Sequence, residues 1–173
     1  MPFVVPVVGI LGAVLFLLIA LEHARLSRTV FRPPVPPPRR DTYPSLTVIR
    51  PIRGLDAGCR ENTLALLEQE YPGEVQTLFV FDHVGDPGLP IVSEIVRGRA
   101  NAQVLIAGPP PPERTGKLNA MICGLQHARG ELIAFNDSDS RPTPHLLRLL
   151  ADELLDRPGT GCTFTPVDRK SVV

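Results

Sequence analysis

The feature that most constrains the fold is a regular alternation, after residue 45, of short apolar runs with helical patterns. Most of the apolar runs are continuous rather than alternating, which is typical of strands covered on both faces. The predicted strands are Leu46–Arg50, Val75–Asp82, Gln103–Ala107, Leu132–Asn136 and Gly161–Thr165. Alternation of strands and helices predicts an α/β fold, with a mainly parallel sheet and helices on both of its faces. Ligands of such sheets bind at the carboxyl ends of the strands.

Four helices are predicted between and after these strands, each with a recognisable start or stop signal. They are a helix capped by Asp56 that ends at Pro72, a helix over residues 89–97, a helix carrying Leu118 that closes at Gly130, and a helix capped by Thr143 that ends before Pro158. In the last of these, Pro144 is expected at the first helical position.

The N-terminus is an uncharged run of 20 residues, Pro2–Leu21. At a rise of about 1.5 Å per residue this length crosses a bilayer core of about 30 Å. The alternative, a signal peptide, would have a basic residue before a shorter apolar core and a small-residue cleavage site. The run therefore predicts a membrane anchor over residues 1–22. All nearby Arg residues follow it, so the positive-inside rule places the rest of the chain in the cytoplasm.

Residues 23–44 form a basic, Pro-rich linker, and residues 45–173 form the α/β domain. The stretch 31–44 is expected to be an extended spacer, with a polyproline ligand for a partner as the alternative. From Asp41 onward the chain has 13 basic and 17 acidic residues, and such a balance argues against nucleic-acid binding. The three cysteines are far apart, which is typical of reduced residues in a cytosolic compartment.

Two single residues fall at the predicted carboxyl edge of the sheet. Asp82 ends the second strand and could accept hydrogen bonds from a ligand, for example from the ring N–H of a uracil. The alternative is a turn-forming Asp, because Gly and Pro follow it closely. Lys117 opens a helix, where free backbone N–H groups and a lysine together favour phosphate. The alternative is a solvated first-turn residue, and the spacing does not fit a P-loop.

A pair of carboxylates, Asp137 and Asp139, follows the fourth strand. In extended backbone, residues i and i+2 point the same way, so both could converge on one cation while Ser138 faces away. Carboxylate oxygens suit Mg²⁺ or Mn²⁺, and Mg²⁺ prefers one or two carboxylates together with waters and substrate phosphates. The alternative is a solvated Asp/Ser turn that caps the next helix.

The order of these residues resembles the nucleotide-sugar half of inverting, family-2-like glycosyltransferases with the GT-A fold. The stretches "TVIRPIRGLD", "FDHVGDP", "GKLNAM" and "NDSDSRPTP" are similar to the ceramide glucosyltransferase family and its bacterial relatives, including the hopanoid-associated glycosyltransferases. The resemblance covers about residues 45–168 and includes the N-terminal membrane anchor of the family.

This resemblance implies transfer of a sugar from a UDP-sugar to a ceramide- or hopanoid-like lipid, with inversion and with Mg²⁺ or Mn²⁺. By the same resemblance Asp82 would bind the base, and Asp137 and Asp139 would bind the metal and diphosphate. Lys117 would lie near the phosphates or base, and Pro51 and Arg53 would line the uridine pocket. Ceramide-specific members often carry another residue at the position of Asp139, so this pair does not identify the acceptor lipid.

The family pattern continues with a general base, an Arg/Gln-x-x-Arg-Trp motif and further membrane segments, whereas this sequence has no Trp. We therefore expect the base beyond Val173, the C-terminal half of the family fold to be missing, and the chain alone to be inactive. If the base were within the chain, His83 and Asp86 would be the first candidates. Two alternatives stay open: an Asp-x-Asp phosphatase, and a non-catalytic, membrane-tethered module that binds nucleotide or a partner subunit.

Overall fold

The structure, a computed structural model, describes residues 4–30 and 40–165. Its elements are α1 (Val4–Val30), β1 (Leu46–Ile52), α2 (Cys59–Leu67), β2 (Val75–Phe81), α3 (Leu89–Val96), β3 (Ala102–Ile106), α4 (Gly116–His127), β4 (Leu132–Phe135) and α5 (Leu146–Asp156). The chain divides into two compact units, one ending at Pro36 and the other beginning at Pro37.

The first unit is the helix α1. Its segment Gly9–Arg28 is long and apolar enough to cross a membrane by length and composition, with a mean hydropathy of 1.8 and none of it buried. The helix continues past residue 22, the predicted end of the anchor, because residues 23–30 contain neither Gly nor Pro to stop it. Residues 31–39 of the predicted linker lie outside the described residues.

The second unit contains a parallel sheet of four strands in the order β3-β2-β1-β4. This confirms the predicted class of fold. The chain steps from β1 to β2 to β3 in one direction, and α4 then carries it back to place β4 on the other side of β1. Leu46 at the start of β1 pairs with Val75 of β2 and with Leu132 of β4. The strand order therefore reverses next to β1, where a crevice forms at the carboxyl end of such sheets.

Helices cover both faces of the sheet, as the continuous apolarity of the strands predicted. On one face Val48 belongs to a core with residues of α2, α3 and α5, such as Leu66, Val92 and Leu147. Ile49, the next residue of β1, points to the other face and packs in a core that includes Ala120 of α4. Because successive strand residues alternate between the faces, both of these β1 residues are fully buried.

The predicted fifth strand over Gly161–Thr165 is wrong: these residues have no regular structure. A turn precedes them, in which the amide of Thr160 donates to the carbonyl of Arg157 at 3.0 Å. The hydroxyl of Thr163 then donates to the carbonyl of Leu150 at 3.1 Å, which ties the segment to α5 instead of to the sheet. Phe164 is 88% exposed, so the apolarity that suggested a strand is not used for packing in the described structure.

Two predicted helix starts are also displaced. The N-cap of α2 is Gly58, in a left-handed conformation with φ of 73°, and not Asp56. Only the backbone carbonyl of Asp56 takes part in this turn, where it accepts from the amide of Cys59 at 3.1 Å. Its carboxylate does not cap the helix and accepts from the hydroxyl of Ser138 instead. The last helix, α5, has His145 as its N-cap, because Thr143 forms a turn in which its carbonyl accepts from Leu146.

Candidate active site

A cleft of about 420 Å³ lies at the carboxyl end of the sheet, at the reversal of strand order beside β1. Its walls come from the end of β1 and the following loop, from the residue after β2, from the start of α4 and from the loop after β4. The predicted site residues all line this one cleft: Pro51, Arg53, Asp82, Lys117, Asp137 and Asp139. Their assembly from four chain segments is a finding, whereas their individual roles remain predictions.

Asp82 is the first residue after β2 and projects toward the start of α4. Its side chain is 17% exposed, and one of its oxygens lies 3.9 Å from Nε of Arg53. A Cβ on Gly116, the first residue of α4, would be only 2.9 Å from the same carboxylate oxygen, Oδ2. Glycine therefore allows the carboxylate to approach a helix N-terminus, where the backbone dipole favours negative charge.

Lys117 is the second residue of α4, as the sequence predicted for the start of a helix. Thr115 caps this helix by accepting a hydrogen bond from the amide of Leu118 at 3.2 Å. The ammonium of Lys117 donates to Oδ1 of Asp137 at 2.6 Å, although both side chains are more than half exposed. Exposed ion pairs contribute about 1 kcal/mol or less, so this lysine can exchange its partner for an anionic ligand at little cost.

We refer to residues 136–140 as the acidic loop. Within it the hydroxyl of Ser138 donates to the carboxylate of Asp56, and both residues line the cleft, contrary to the expectation that Ser138 faces away. Asp137 and Asp139 are both exposed and both line the cleft, as their spacing predicted. Asp139 forms no hydrogen bond or ion pair with the described residues.

The donor set fits a divalent cation that is shared with a ligand. Within the described residues no group of three or more His, Cys, Asp or Glu side chains could hold a metal ion by itself. Two carboxylates, completed by waters and by phosphate oxygens, are what Mg²⁺ commonly uses in proteins. The cleft lining carries four Asp residues against Arg53 and Lys117, a formal charge of −2. Such a lining would repel a diphosphate unless a cation accompanied it.

Arg50 is the residue that the sequence reasoning missed. It lies in the middle of β1 and is 1% exposed, beneath the cleft and not on its surface. Burial lowers the pKa of its guanidinium to about 10, although the carboxylates of Asp137 and Asp139 act in the opposite direction. A charged residue in a mostly apolar strand was the signal that could have identified it.

Asp86, one of the two fallback candidates for a general base, has a structural role instead. It is 3% exposed, and its two oxygens accept from the amides of Gly54 at 2.7 Å and Gly88 at 2.8 Å. Gly54 has a φ of 81°, which only glycine adopts readily, so the carboxylate holds a tight turn in the loop after β1. His83, the other candidate, is exposed and is not part of the cleft lining.

The model of glycosyl transferase family 21 matches residues 5–170, which is nearly the whole chain. The chain belongs to this family. Among curated relatives, the ceramide glucosyltransferase of Candida albicans is 27% identical over 128 residues, which are 62% of this chain and 22% of the relative. The ceramide glucosyltransferase of Pyricularia oryzae is 29% identical over 93 residues, or 51% of this chain and 19% of the relative.

Solved structures are similar at the level of the fold and share modest identity. A mannosyltransferase from Pyrobaculum calidifontis, in complex with GDP-Man and Mn²⁺, has a TM-score of 0.63 at 25% identity and covers 83% of this chain and 42% of its own. TarS of S. aureus has a TM-score of 0.52 at 26% identity, over 65% of this chain and 19% of its own. The fold is therefore GT-A-like, as the resemblance implied.

These matches bear on the remaining alternatives. Membership of a glycosyltransferase family leaves no support for the Asp-x-Asp phosphatase. The chain spans about a fifth of the length of the curated relatives that it matches. The activity, substrates and partners of a whole enzyme are therefore proposals for this chain, and they follow.

Proposed function

We propose that this chain forms the nucleotide-sugar-binding part of a glycosyltransferase that moves a sugar from a UDP-sugar to a lipid with inversion. The observation that carries the proposal is the single cleft in which Asp82, Lys117, Asp137 and Asp139 meet, in a chain of family 21. The acceptor is a ceramide- or hopanoid-like lipid hydroxyl. The ceramide glucosyltransferase relatives and the anchor-like helix α1 support a lipid acceptor.

The cleft residues divide into those that hold the base and those that hold the diphosphate. Asp82 accepts the imide N–H of uracil, and Pro51 and Arg53 form the wall against which the uridine lies. Lys117 leaves its exposed pair with Asp137 and donates to oxygens of the diphosphate. The first turn of α4 offers backbone N–H groups to the same anion. These contacts orient the sugar toward the open side of the cleft.

A divalent cation held by Asp137 and Asp139 supplies charge neutralisation for the diphosphate leaving group. Support comes from the formal charge of −2 on the cleft lining and from the Mn²⁺ in the Pyrobaculum mannosyltransferase complex. In the transfer itself the lipid oxygen forms a bond to the anomeric carbon on the face opposite the departing diphosphate oxygen. The hydroxyl proton passes to a base that we do not assign to any described residue of the cleft.

The test is calorimetric titration of the chain, in detergent or nanodiscs, with UDP and UDP-glucose. We expect binding with Mn²⁺ that is at least tenfold tighter than binding in EDTA, because the cation removes the repulsion between the diphosphate and the acidic lining. GDP and GDP-mannose serve as the matched control ligands, since a related fold binds GDP-Man. Tighter binding of the guanine nucleotides would contradict the assignment of Asp82 to uracil.

The alternative of a non-catalytic, membrane-tethered nucleotide-binding module makes the same binding predictions. The two are compared by incubation with radiolabelled UDP-glucose or UDP-N-acetylglucosamine and membranes that contain ceramide or hopanoid. Labelled glycolipid that requires Asp137 supports transfer. Because the sequence predicts that this chain alone is inactive, nucleotide binding without labelled product supports the module only if it persists when a chain carrying the remaining family segments is added.

A further inference from the structure

We infer that Arg50 is a positioning residue for the acidic loop: from inside the sheet it holds this loop in the conformation that presents Asp137 and Asp139 to the cleft. The inference rests on the proposed function, because it assigns the means by which the two carboxylates are placed. The residue touches neither the cleft nor any ligand expected there.

The hydrogen bonds of Arg50 all lead to the acidic loop or to the helix beside it. Its Nε donates to Oδ1 of Asn136 at 2.8 Å, and Nη2 donates to the same oxygen and to the carbonyl of Ser140 at 3.0 Å. Its Nη1 donates to the carbonyl of Asn62 in α2 at 3.0 Å. One rigid, planar group therefore joins both ends of the loop to α2, and the fixed geometry of the guanidinium suits this better than a flexible ammonium would.

Neighbouring side chains hold the remaining polar groups of the loop. Asn62 donates from Nδ2 to the carbonyl of Ser138 at 3.3 Å. The hydroxyl of Ser140 donates to the carbonyl of Asp137 at 2.7 Å and accepts from Nδ2 of Asn136 at 3.0 Å. The carbonyls of Asp137, Ser138 and Ser140 each accept from a side chain with a fixed position, so these hydrogen bonds restrict movement of the loop backbone. The side chains of Asp137 and Asp139 are not used to hold the loop backbone, and both line the cleft.

The charge of Arg50 indicates that this arrangement is more than packing. Among the described residues no carboxylate forms an ion pair with its guanidinium, although the residue is almost fully buried. A buried cation without an ion-pair partner lowers the stability of a fold, and an apolar residue of similar size would commonly serve stability better. Its hydrogen bonds to the acidic loop and to α2 instead give it a role that an apolar residue could not fill.

The experiment compares Arg50→Lys, which keeps the charge and loses the planar fork, with Thr47→Val. Thr47 is also a buried polar residue of β1, but it lies at the opposite end of the strand, where its hydroxyl donates to Gln76 and accepts from the amide of Gly130. The control should lower the thermal stability without affecting the loop. The full chain is used for each variant.

The first readout needs no ligand. We expect the amides of residues 136–140 to exchange with deuterium at least tenfold faster in Arg50→Lys than in the wild type, and at the wild-type rate in Thr47→Val. The second readout is the ratio of UDP affinities with Mn²⁺ and in EDTA. This ratio should fall at least tenfold in Arg50→Lys, while the affinity in EDTA stays within about twofold of the wild type.

Ser140→Ala is the second variant, and it decides the question alone if Arg50→Lys does not fold. It removes only the hydroxyl that holds Asp137 and Asn136, so we expect the same two changes at smaller magnitude. Wild-type exchange of the loop amides in the folded variants would overturn the positioning role. Absence of UDP binding by the wild type would overturn the proposed function instead, and the exchange data would still decide the role of Arg50.

Discussion

Substitution of Gly116 by Ala should damage the cleft without damaging the fold. The added Cβ would lie 2.9 Å from Oδ2 and 3.4 Å from Oδ1 of Asp82, so the carboxylate must move. The movement is inexpensive for the fold, because the only ion pair of Asp82 in the described structure is the 3.9 Å contact with Arg53. Gly116 does not have a positive φ, so Ala adds no backbone strain at this position.

The expected loss is in nucleotide affinity. If Asp82 accepts the imide N–H of uracil, displacing it removes one hydrogen bond to a charged acceptor, which is worth about 1.5–3 kcal/mol. This corresponds to a Kd for UDP that is roughly 10- to 150-fold higher. The loss should be the same with Mn²⁺ and in EDTA, since the base lies away from the metal.

Gly124→Ala, in the same helix, is the matched control with the opposite expectation. Its Cβ would lie 2.4 Å from Cγ2 of Ile49, a fully buried residue of β1, and 3.2 Å from two further carbons of that side chain. Overpacking of this kind typically costs about 1–3 kcal/mol of unfolding free energy. Chemical denaturation and calorimetry on both variants make the comparison. Wild-type UDP affinity in Gly116→Ala, or equal losses of stability in the two variants, would refute the placement of Asp82 against α4.

Two further predictions concern the metal and the membrane. Asp139→Ala should weaken UDP binding with Mn²⁺ at least tenfold and leave binding in EDTA unchanged, whereas Asp82→Ala should weaken binding equally in both buffers. Calorimetry with Mn²⁺ and with EDTA measures the two effects. Equal effects of Asp139→Ala in both buffers would exclude this residue as a metal ligand. Because Arg25 and Arg28 follow the uncharged run Pro2–Leu21, a protease added outside sealed inverted vesicles should digest the domain after residue 44. Protection of the domain in those vesicles would reverse the proposed orientation.

The parts of the fold that were predicted correctly are those for which a local pattern and the tertiary structure agree. The starts of β1, β2, α3 and β4 coincide with the predicted residues, because each begins where an apolar run or a helical pattern begins. The strand predicted at Gly161–Thr165 failed because β propensity states only that a segment fits a sheet. It does not state that a neighbouring strand is present to pair with it.

The prediction that Asp56 caps α2 was wrong for a different reason, because its carboxylate binds a residue of the acidic loop. A capping Asp and a loop-bracing Asp have the same local sequence, and Asp56 has the second role, since its carboxylate accepts from the hydroxyl of Ser138. The partner lies 82 residues away along the chain. No window of sequence around Asp56 contains that information.

The role of Arg50 could not be predicted for the same reason, because its partners are distant in the sequence. Pattern reasoning selects residues at strand ends, because parallel topology brings strand ends together, and it found Asp82, Asp137 and Asp139 in this way. It passed over Arg50, although the predicted first strand ends there, because the sequence does not show that this side chain is buried or what lies next to it in three dimensions. The partners of Arg50 in the acidic loop are 86 and 90 residues away. A polar or charged residue at a fully buried position of a central strand is therefore itself a signal, because burial without a partner is costly and the partner must be sought elsewhere in the chain.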